Sequence, residues 1–171
     1  AELSDLYSSI PSDMKEVAYH FEKKVLRDVD EDEFEKFILE NKDHFSPLTT
    51  KRAKHFYSEN QRVLDGAEAL LKNDLQGFFD AVNGSQKSSQ NNLCNTQVED
   101  QYRNSPQEDI DYANSLMVNG AAKINGGGFA GTIICYVMDE DYEFFMKKMT
   151  ARYGTSNVHE INVNPDGPHE I

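Results

Sequence analysis

The segment Lys123-Ile124-Asn125-Gly126-Gly127-Gly128-Phe129-Ala130-Gly131-Thr132-Ile133-Ile134-Cys135-Tyr136-Val137, KINGGGFAGTIICYV, holds four of the chain's ten glycines within six positions. As a pattern, GGGFAG satisfies G-x-G-x-x-G, which raises a dinucleotide-binding loop as one reading. The flanks decide otherwise. Ala121 to Asn125 and the apolar, β-branched run Thr132 to Met138 both read as strands, so the glycines join two strands of a hairpin. A dinucleotide fingerprint must instead run from a strand into the N-terminus of a helix that holds the pyrophosphate. What remains is close backbone approach: consecutive glycines allow positive φ and leave main-chain N–H groups uncovered, which suits an oxygen-rich ligand, a packed neighbour or a tight turn. Phe129 among the glycines reads as an anchor for the loop or as a core residue.

Toward the C-terminus, Asp139 opens a helix to about Tyr153 whose Tyr142, Phe145, Met146 and Met149 share a face, and Gly154 is placed to stop it. Val158 to Val163, VHEINV, reads as a final strand. Toward the N-terminus, Ser105-Pro106-Gln107-Glu108 is a capping box with proline in the first helical turn, and it begins a short helix ending near Asn119-Gly120. The polar stretch from Asn83 to Asn104 reads as a helix end followed by a surface loop. Before it, Leu75, Phe78, Phe79 and Val82 mark one helix, and Ser46-Pro47 starts a longer one whose apolar stripe is Phe56, Val63, Leu64, Ala67, Leu70 and Leu71. These two form an expected antiparallel pair. Asp30 with Glu33 caps another helix, KKVLRDV gives a strand over 25–29, and Ser12 precedes a first helix with Met14, Val17, Ala18 and Phe21 inward.

In order, these elements give β-α-β-β-α-β with helices inserted, at about 46–104, into the first crossover. The expectation is an α+β fold: a ferredoxin-like split βαβ antiparallel sheet of strands 25–29, 121–125, 132–138 and 158–163, in one domain over 1–171. A length of 171 residues is enough for one well-buried core.

The formal charge of −13 opposes attraction to a phosphate backbone or an anionic membrane, so neither nucleic acid nor membrane is an expected partner. The sequence holds no run of eighteen apolar residues and no basic-then-apolar leader, so a cytoplasmic location is expected. Cys94 and Cys135 lack the spacing of a zinc site or a disulfide framework. Gly84-Ser85-Gln86-Lys87-Ser88-Ser89 departs from G-x-x-x-x-G-K-[ST] and follows a helical pattern, so it is not a phosphate loop.

Arg52, Lys54, His55 and Arg62 form a basic cluster that could face a phosphate, but 52, 55, 59 and 62 share a helix face, where ion pairing with Glu59 is the expected role. Asn60 lies on the stripe of Phe56, Val63 and Ala67 and reads as a buried hydrogen-bonding residue or part of an interdomain contact, with the first favoured. The acidic run Asp28 to Glu35 lacks the glycine and oxygen-ligand spacing of a calcium loop and reads as a charged helix start. His159 alternates with Ile161 and Val163 on a strand face, and His20, His44 and His169 have no metal-binding spacing.

KINGGGFAGTIICYV resembles the third signature motif of the GHMP small-molecule kinases, and its aromatic-containing triple glycine is similar to the galactokinase form. The segment from Arg52 to Val63, RAKHFYSENQRV, is similar to the galactokinase pattern R-A-x-H-x-x-x-E-N-x-R-V, and VHEINVNPDGPHEI is similar to that family's C-terminus. The resemblance implies a C-terminal domain of an ATP-dependent enzyme that phosphorylates galactose at C1. Gly126, Gly127, Gly128, Phe129, Ala130 and Gly131 would then lie against the nucleotide-phosphate loop of an N-terminal domain, helping to close the nucleotide-binding cleft and orient the triphosphate. Ala130 departs from the commonest motif, which has glycine there. The family's sugar-binding motif, phosphate loop and catalytic aspartate have no match here, so no catalytic residue is expected in this chain. ATP and Mg²⁺ would be bound with an N-terminal kinase domain as partner, and none by this chain alone. The alternative is a stand-alone module without kinase activity, acting through partner binding or as a homodimer through the exposed interdomain face.

Overall fold

The computed structural model describes residues 2–97, 105–129 and 131–163. Helix α1 spans Glu2–His20, α2 Glu31–Glu40, α3 Pro47–Leu71 and α4 Leu75–Ser88. After a π-type turn at Ser89–Leu93 come α5 (Pro106–Ser115), strands β1 (Gly120–Asn125) and β2 (Thr132–Val137), and α6 (Asp139–Tyr153). The strands pair antiparallel, Gly120 opposite Val137 and Asn125 opposite Thr132, and the described residues contain no third strand.

Capping chemistry sets most helix starts where expected. The Asp30 side chain accepts from the Glu33 N–H, and Ser46 accepts from Thr49 N–H with Pro47 in the first turn. Ser105 accepts from Gln107 rather than from Glu108, and α5 ends at Ser115, short of the expected Asn119-Gly120. Met138 takes the N-cap position of α6 and Asp139 its first turn, where a carboxylate favours the positive end of the helix. Gly154 ends α6 at φ 86°. Helix α1 begins ten residues before the expected Ser12 and carries Pro11 inside it. Its first half earns its order from tertiary bonds made by Tyr7 and Ser9.

Two expected strands are absent. Residues 25–29 form a 3₁₀ turn at Leu26–Asp28, with Leu26 and Val29 buried and Val25 exposed. A strand would turn Leu26 and Val29 to opposite faces, whereas a 3₁₀ turn eclipses positions three apart and sends both inward. The Tyr57 hydroxyl fixes the turn by donating to the Val29 carbonyl at 3.2 Å and toward that of Leu26 at 3.5 Å. Residues 158–163 have no regular structure; Ile161 and Val163 are exposed, and no strand among the described residues supplies the ladder bonds that would hold them. The fold is mixed helix with a small two-stranded antiparallel sheet.

One core joins Val17 and Ala18 of α1, Leu26, Val29, Phe34 and Ile38, Phe45, and Ala53 and Tyr57 of α3. A second packs Ile110 and Ala113 of α5 and Phe145 and Met149 of α6 on Ala122 and Ile124 of β1. Ala121 turns to the other side and meets Phe79 and Val82 of α4, so the hairpin lies between α4 and the α5–α6 layer.

Helices α3 and α4 run antiparallel, since successive contacts pair Ala69 with Gly77, Gly66 with Ala81, Arg62 with Gly84, and His55 with Ser88. The expected pair is present, but α3 is rotated. Its buried positions are Thr49, Arg52, Ala53, His55, Tyr57, Gly66 and Ala69, while Val63, Leu64, Leu70 and Leu71 face solvent. The small residues Gly66 and Ala69 allow close approach of α4, which a stripe of valine and leucine would hold further away.

Candidate functional site

The glycine segment is the β1–β2 hairpin loop, as expected. Gly126 has φ 91° and Gly128 φ 80°, and Phe129 takes the left-handed conformation at φ 55°. For a phenylalanine that conformation costs roughly 1–2 kcal/mol, so its surroundings must hold it. They do so from three directions. The Phe129 ring is 2% exposed and meets Tyr7 edge to face with centroids 5.4 Å apart. The Phe129 N–H donates to the Asn95 carbonyl at 2.5 Å, and Asn95 Nδ2 donates to the Gly127 carbonyl at 3.1 Å. The Tyr7 hydroxyl donates to the Gly128 carbonyl at 2.7 Å. Phe129 is the loop's anchor and is also buried, so both sequence readings of it hold at once.

Side chains are excluded by the same supports. A Cβ at Gly128 would stand 2.5 Å from the Asn95 carbonyl oxygen, and one at Gly127 would stand 2.7 Å from Tyr7 Cε1. At Gly126 and Gly131 a Cβ would meet open space, so φ 91° alone favours glycine at Gly126. Gly126 and Gly127 are exposed, Gly128 and Phe129 buried. The loop is thus pinned on its inner side and bare on its outer side. Ala130 lies outside the described residues.

The strand before the loop is held through α4. The Ile124 N–H donates to Gln86 Oε1 at 3.0 Å, and Asn83 Nδ2 donates to the Gly120 carbonyl at 3.1 Å. These side-chain amides serve outward-pointing groups of β1 that no further strand among the described residues reaches. Gln86 Nε2 continues to Gln107 Oε1 at 3.2 Å, and Gln107 Nε2 to Asp111 at 2.8 Å. Lys123 Nζ donates to Ser85 Oγ at 2.7 Å, and Ser85 donates to Glu59 at 2.7 Å. The stretch expected to be a helix end and surface loop is therefore helical to Ser88 and deeply packed: Ser85, Gln86, Ser88, Ser89, Asn95 and Thr96 are all buried. Positions 98–104 of that stretch lie outside the described residues.

Arg52 and His55 leave the expected surface cluster for the interior. Arg52, 3% exposed, donates to Asp13 at 2.6 Å, to Ser9 Oγ at 3.0 Å and to the Leu93 carbonyl at 3.3 Å, which ties α1 and the π turn to α3. His55 Nδ1 lies 2.9 Å from Ser88 Oγ. Burial holds the imidazole below its ordinary pKa, with Arg62 and Lys123 acting in the same direction and Glu59 partly opposing them. Glu59 pairs with Arg62 at 2.5 Å as expected, and Lys54 pairs with Glu35 at 3.1 Å. These side chains bond to Asp13, Ser9, Leu93, Ser88, Glu59 and Glu35 rather than to the glycine loop, so their role is structural. Asn60 is exposed, contrary to the favoured reading, because it follows the outward stripe of α3.

Tyr7, Asn95 and Gln86 escaped sequence reasoning. Gln86 and Ser89 carried a signal, since they continue the inward register of Phe79 and Val82 with polar residues. Asn95 and Tyr7 carried none, because their partners are 32 and 121 positions away. Among the described residues, no three His, Cys, Asp or Glu side chains gather to hold a metal, and no helix is long and apolar enough to cross a membrane. Burial pushes the Cys135 thiol up to about 12, which makes it a poor nucleophile at neutral pH.

No family model matches the chain. It is similar to a galactokinase of Actinobacillus pleuropneumoniae, 33% identical over 96% of this chain and 42% of the relative. A galactokinase of Glaesserella parasuis serovar 5 is 35% identical over 86% of this chain and 37% of its own length. Among solved structures, the Lactococcus lactis galactokinase complexed with galactose superposes with a TM-score of 0.69 at 21% identity, covering 86% of this chain and 37% of that one, a likeness of fold. The chain spans about two fifths of the length of the relatives it matches. One third identical to a galactokinase over 96% of its own length, the chain belongs to the galactokinase family.

Proposed function

We propose that this chain is the C-terminal domain of an ATP-dependent galactokinase, 1–171 forming one unit, and that its glycine loop forms one wall of the nucleotide-phosphate site. The observation that carries the reading is the loop's two-sided construction. Tyr7 and Asn95 hold its inner side, where Gly127 and Gly128 make room for them, and Gly126 leaves the outer side free of side chains. Exposed main-chain N–H groups on a pre-shaped glycine turn suit the oxygens of a triphosphate. Phosphoryl transfer depends on positioning and on neutralising charge, and a fixed loop contributes position without losing order on binding. Gly126, Gly127, Gly128, Phe129, Ala130 and Gly131 are its residues. ATP supplies the transferred phosphoryl group, and Mg²⁺ is assigned to the remaining part of the enzyme. In this reading the protein works in galactose metabolism in the cytoplasm, with an N-terminal kinase domain as partner.

The stand-alone alternative, a module that self-associates, has only the exposed apolar stripe of α3 in its favour. The test mixes the chain with galactose, ATP and Mg²⁺, alone and with the separately produced N-terminal part of a galactokinase. Turnover is expected only in the mixture, and should fall sharply with Gly128→Val. Turnover by the chain alone, or a Gly128→Val mixture as active as the original, overturns the reading.

A further inference from the structure

Away from the hairpin, the outward stripe of α3 forms one wall of a groove of about 790 Å³. Its apolar surface comes from Phe56, Val63 and Leu64, the last two 68% and 63% exposed. The facing wall is the 3₁₀ turn and the start of α2, which bring Asp28, Asp30 and Glu31 to the rim. An exposed apolar strip edged by three carboxylates against the single cation of Arg27 is the composition of an interaction surface rather than of an ordinary solvated face.

Three further observations give the occupant its chemistry. The Arg27 guanidinium lies over the Phe56 ring at 5.7 Å, so the groove already accommodates a cation against its aromatic face. Asp28, Asp30 and Glu31 line the groove together, and the last two are among the carboxylates that, after burial, push the phenol of the groove-lining Tyr57 upward. The side-chain amide of Asn60, exposed in the groove, makes no hydrogen bond among the described residues, leaving a donor and an acceptor for a main-chain group.

We propose that this groove docks a peptide segment of another protein in which one or two apolar side chains are flanked by lysine or arginine. The apolar anchors cover Val63 and Leu64, the basic residues face Asp28, Asp30 and Glu31, and Asn60 bonds the segment's backbone. A second copy of this chain fits less well, because an isologous contact would oppose two acidic rims on chains that each carry −13.

The test selects short random peptides displayed on phage against the immobilised chain. Enriched sequences should place Lys or Arg beside an apolar residue and lose affinity as salt rises. Leu64→Asp, a change on an exposed position, should weaken them about tenfold, and Glu31→Lys should weaken them as well. No enrichment, a neutral or acidic consensus, or peptides that bind Leu64→Asp undiminished would overturn the proposal. So would light scattering that finds a dimer dissolved by Leu64→Asp, which assigns the groove to a second copy. Failure of the Leu64→Asp chain alone to assemble with the N-terminal part of a galactokinase would assign the groove to that part instead. Kinase complementation that fails while peptide selection succeeds separates the two proposals.

Discussion

Ser85, Gln86, Ser88 and Ser89 are 4–7% exposed on α4 and the turn after it, while Val63, Leu64 and Leu71 on the adjacent α3 are 68%, 63% and 86% exposed. Polar residues fill the interior of one helix and apolar residues cover the outside of the other. The cause of the first is backbone accounting. Among the described residues no strand pairs with the outer side of β1, and its Ile124 N–H would be buried without a partner unless a side chain bonded it. Gln86 meets that need, and once one amide is buried its other end needs Gln107. The cause of the second is packing distance. Gly66 and Ala69 bring α3 close to α4, and the helix cannot also turn Val63 and Leu71 inward. Burial therefore follows the bonds and spacings of the neighbouring elements more closely than it follows residue polarity.

This contrast can be broken most forcefully at Arg52. Arg52→Met removes the cation that joins Asp13, Ser9 and the Leu93 carbonyl and strands a partly buried carboxylate, a loss of about 3 kcal/mol in urea denaturation. A loss below about 1 kcal/mol would mean the network behaves as a surface ion pair.

Gln86→Leu keeps the volume and removes the bond to Ile124, at a cost of about 2 kcal/mol. Amide exchange should speed up at Ile124 more than at Lys123. Uniform acceleration across the hairpin would argue that Gln86 is filler.

His55 sharpens the contrast through pH. Its folded-state pKa lies below the unfolded value, so the folded protein binds fewer protons, and stability falls as pH drops from the ordinary histidine range through the lowered folded value. Melting curves of the original and His55→Gln chains should converge in that window and run parallel above it. Parallel curves throughout would sink this account.

The exposed side should respond least. Leu71→Ser is expected to change stability by less than about 0.5 kcal/mol and to raise solubility; a loss of about 2 kcal/mol would mean that Leu71 is packed.

The hairpin, the capped helix starts and the α3–α4 pair were legible because their signals are local: β-branched runs around glycines, Ser-Pro and Asp-x-x-Glu starts, repeated apolar spacing. Strand 25–29 misled because KKVLRDV has strand composition, while the three-residue spacing of Leu26 and Val29 and the distant Tyr57 hydroxyl decide its shape. VHEINV misled because a strand needs an edge, and composition does not say whether one is present. At the candidate site the glycines and Phe129 announced a shaped loop, but the residues that shape it lie far along the chain.

That distance also sets a folding order. Closing the span from Tyr7 to Gly128 joins groups 121 positions apart, whereas the α3–α4 pair closes across a short connection. Longer closures cost more entropy and form later. On a ribosome, the helical pair can assemble while the hairpin is still unmade, and the glycine turn acquires its final curvature only when the opening helix swings back against it.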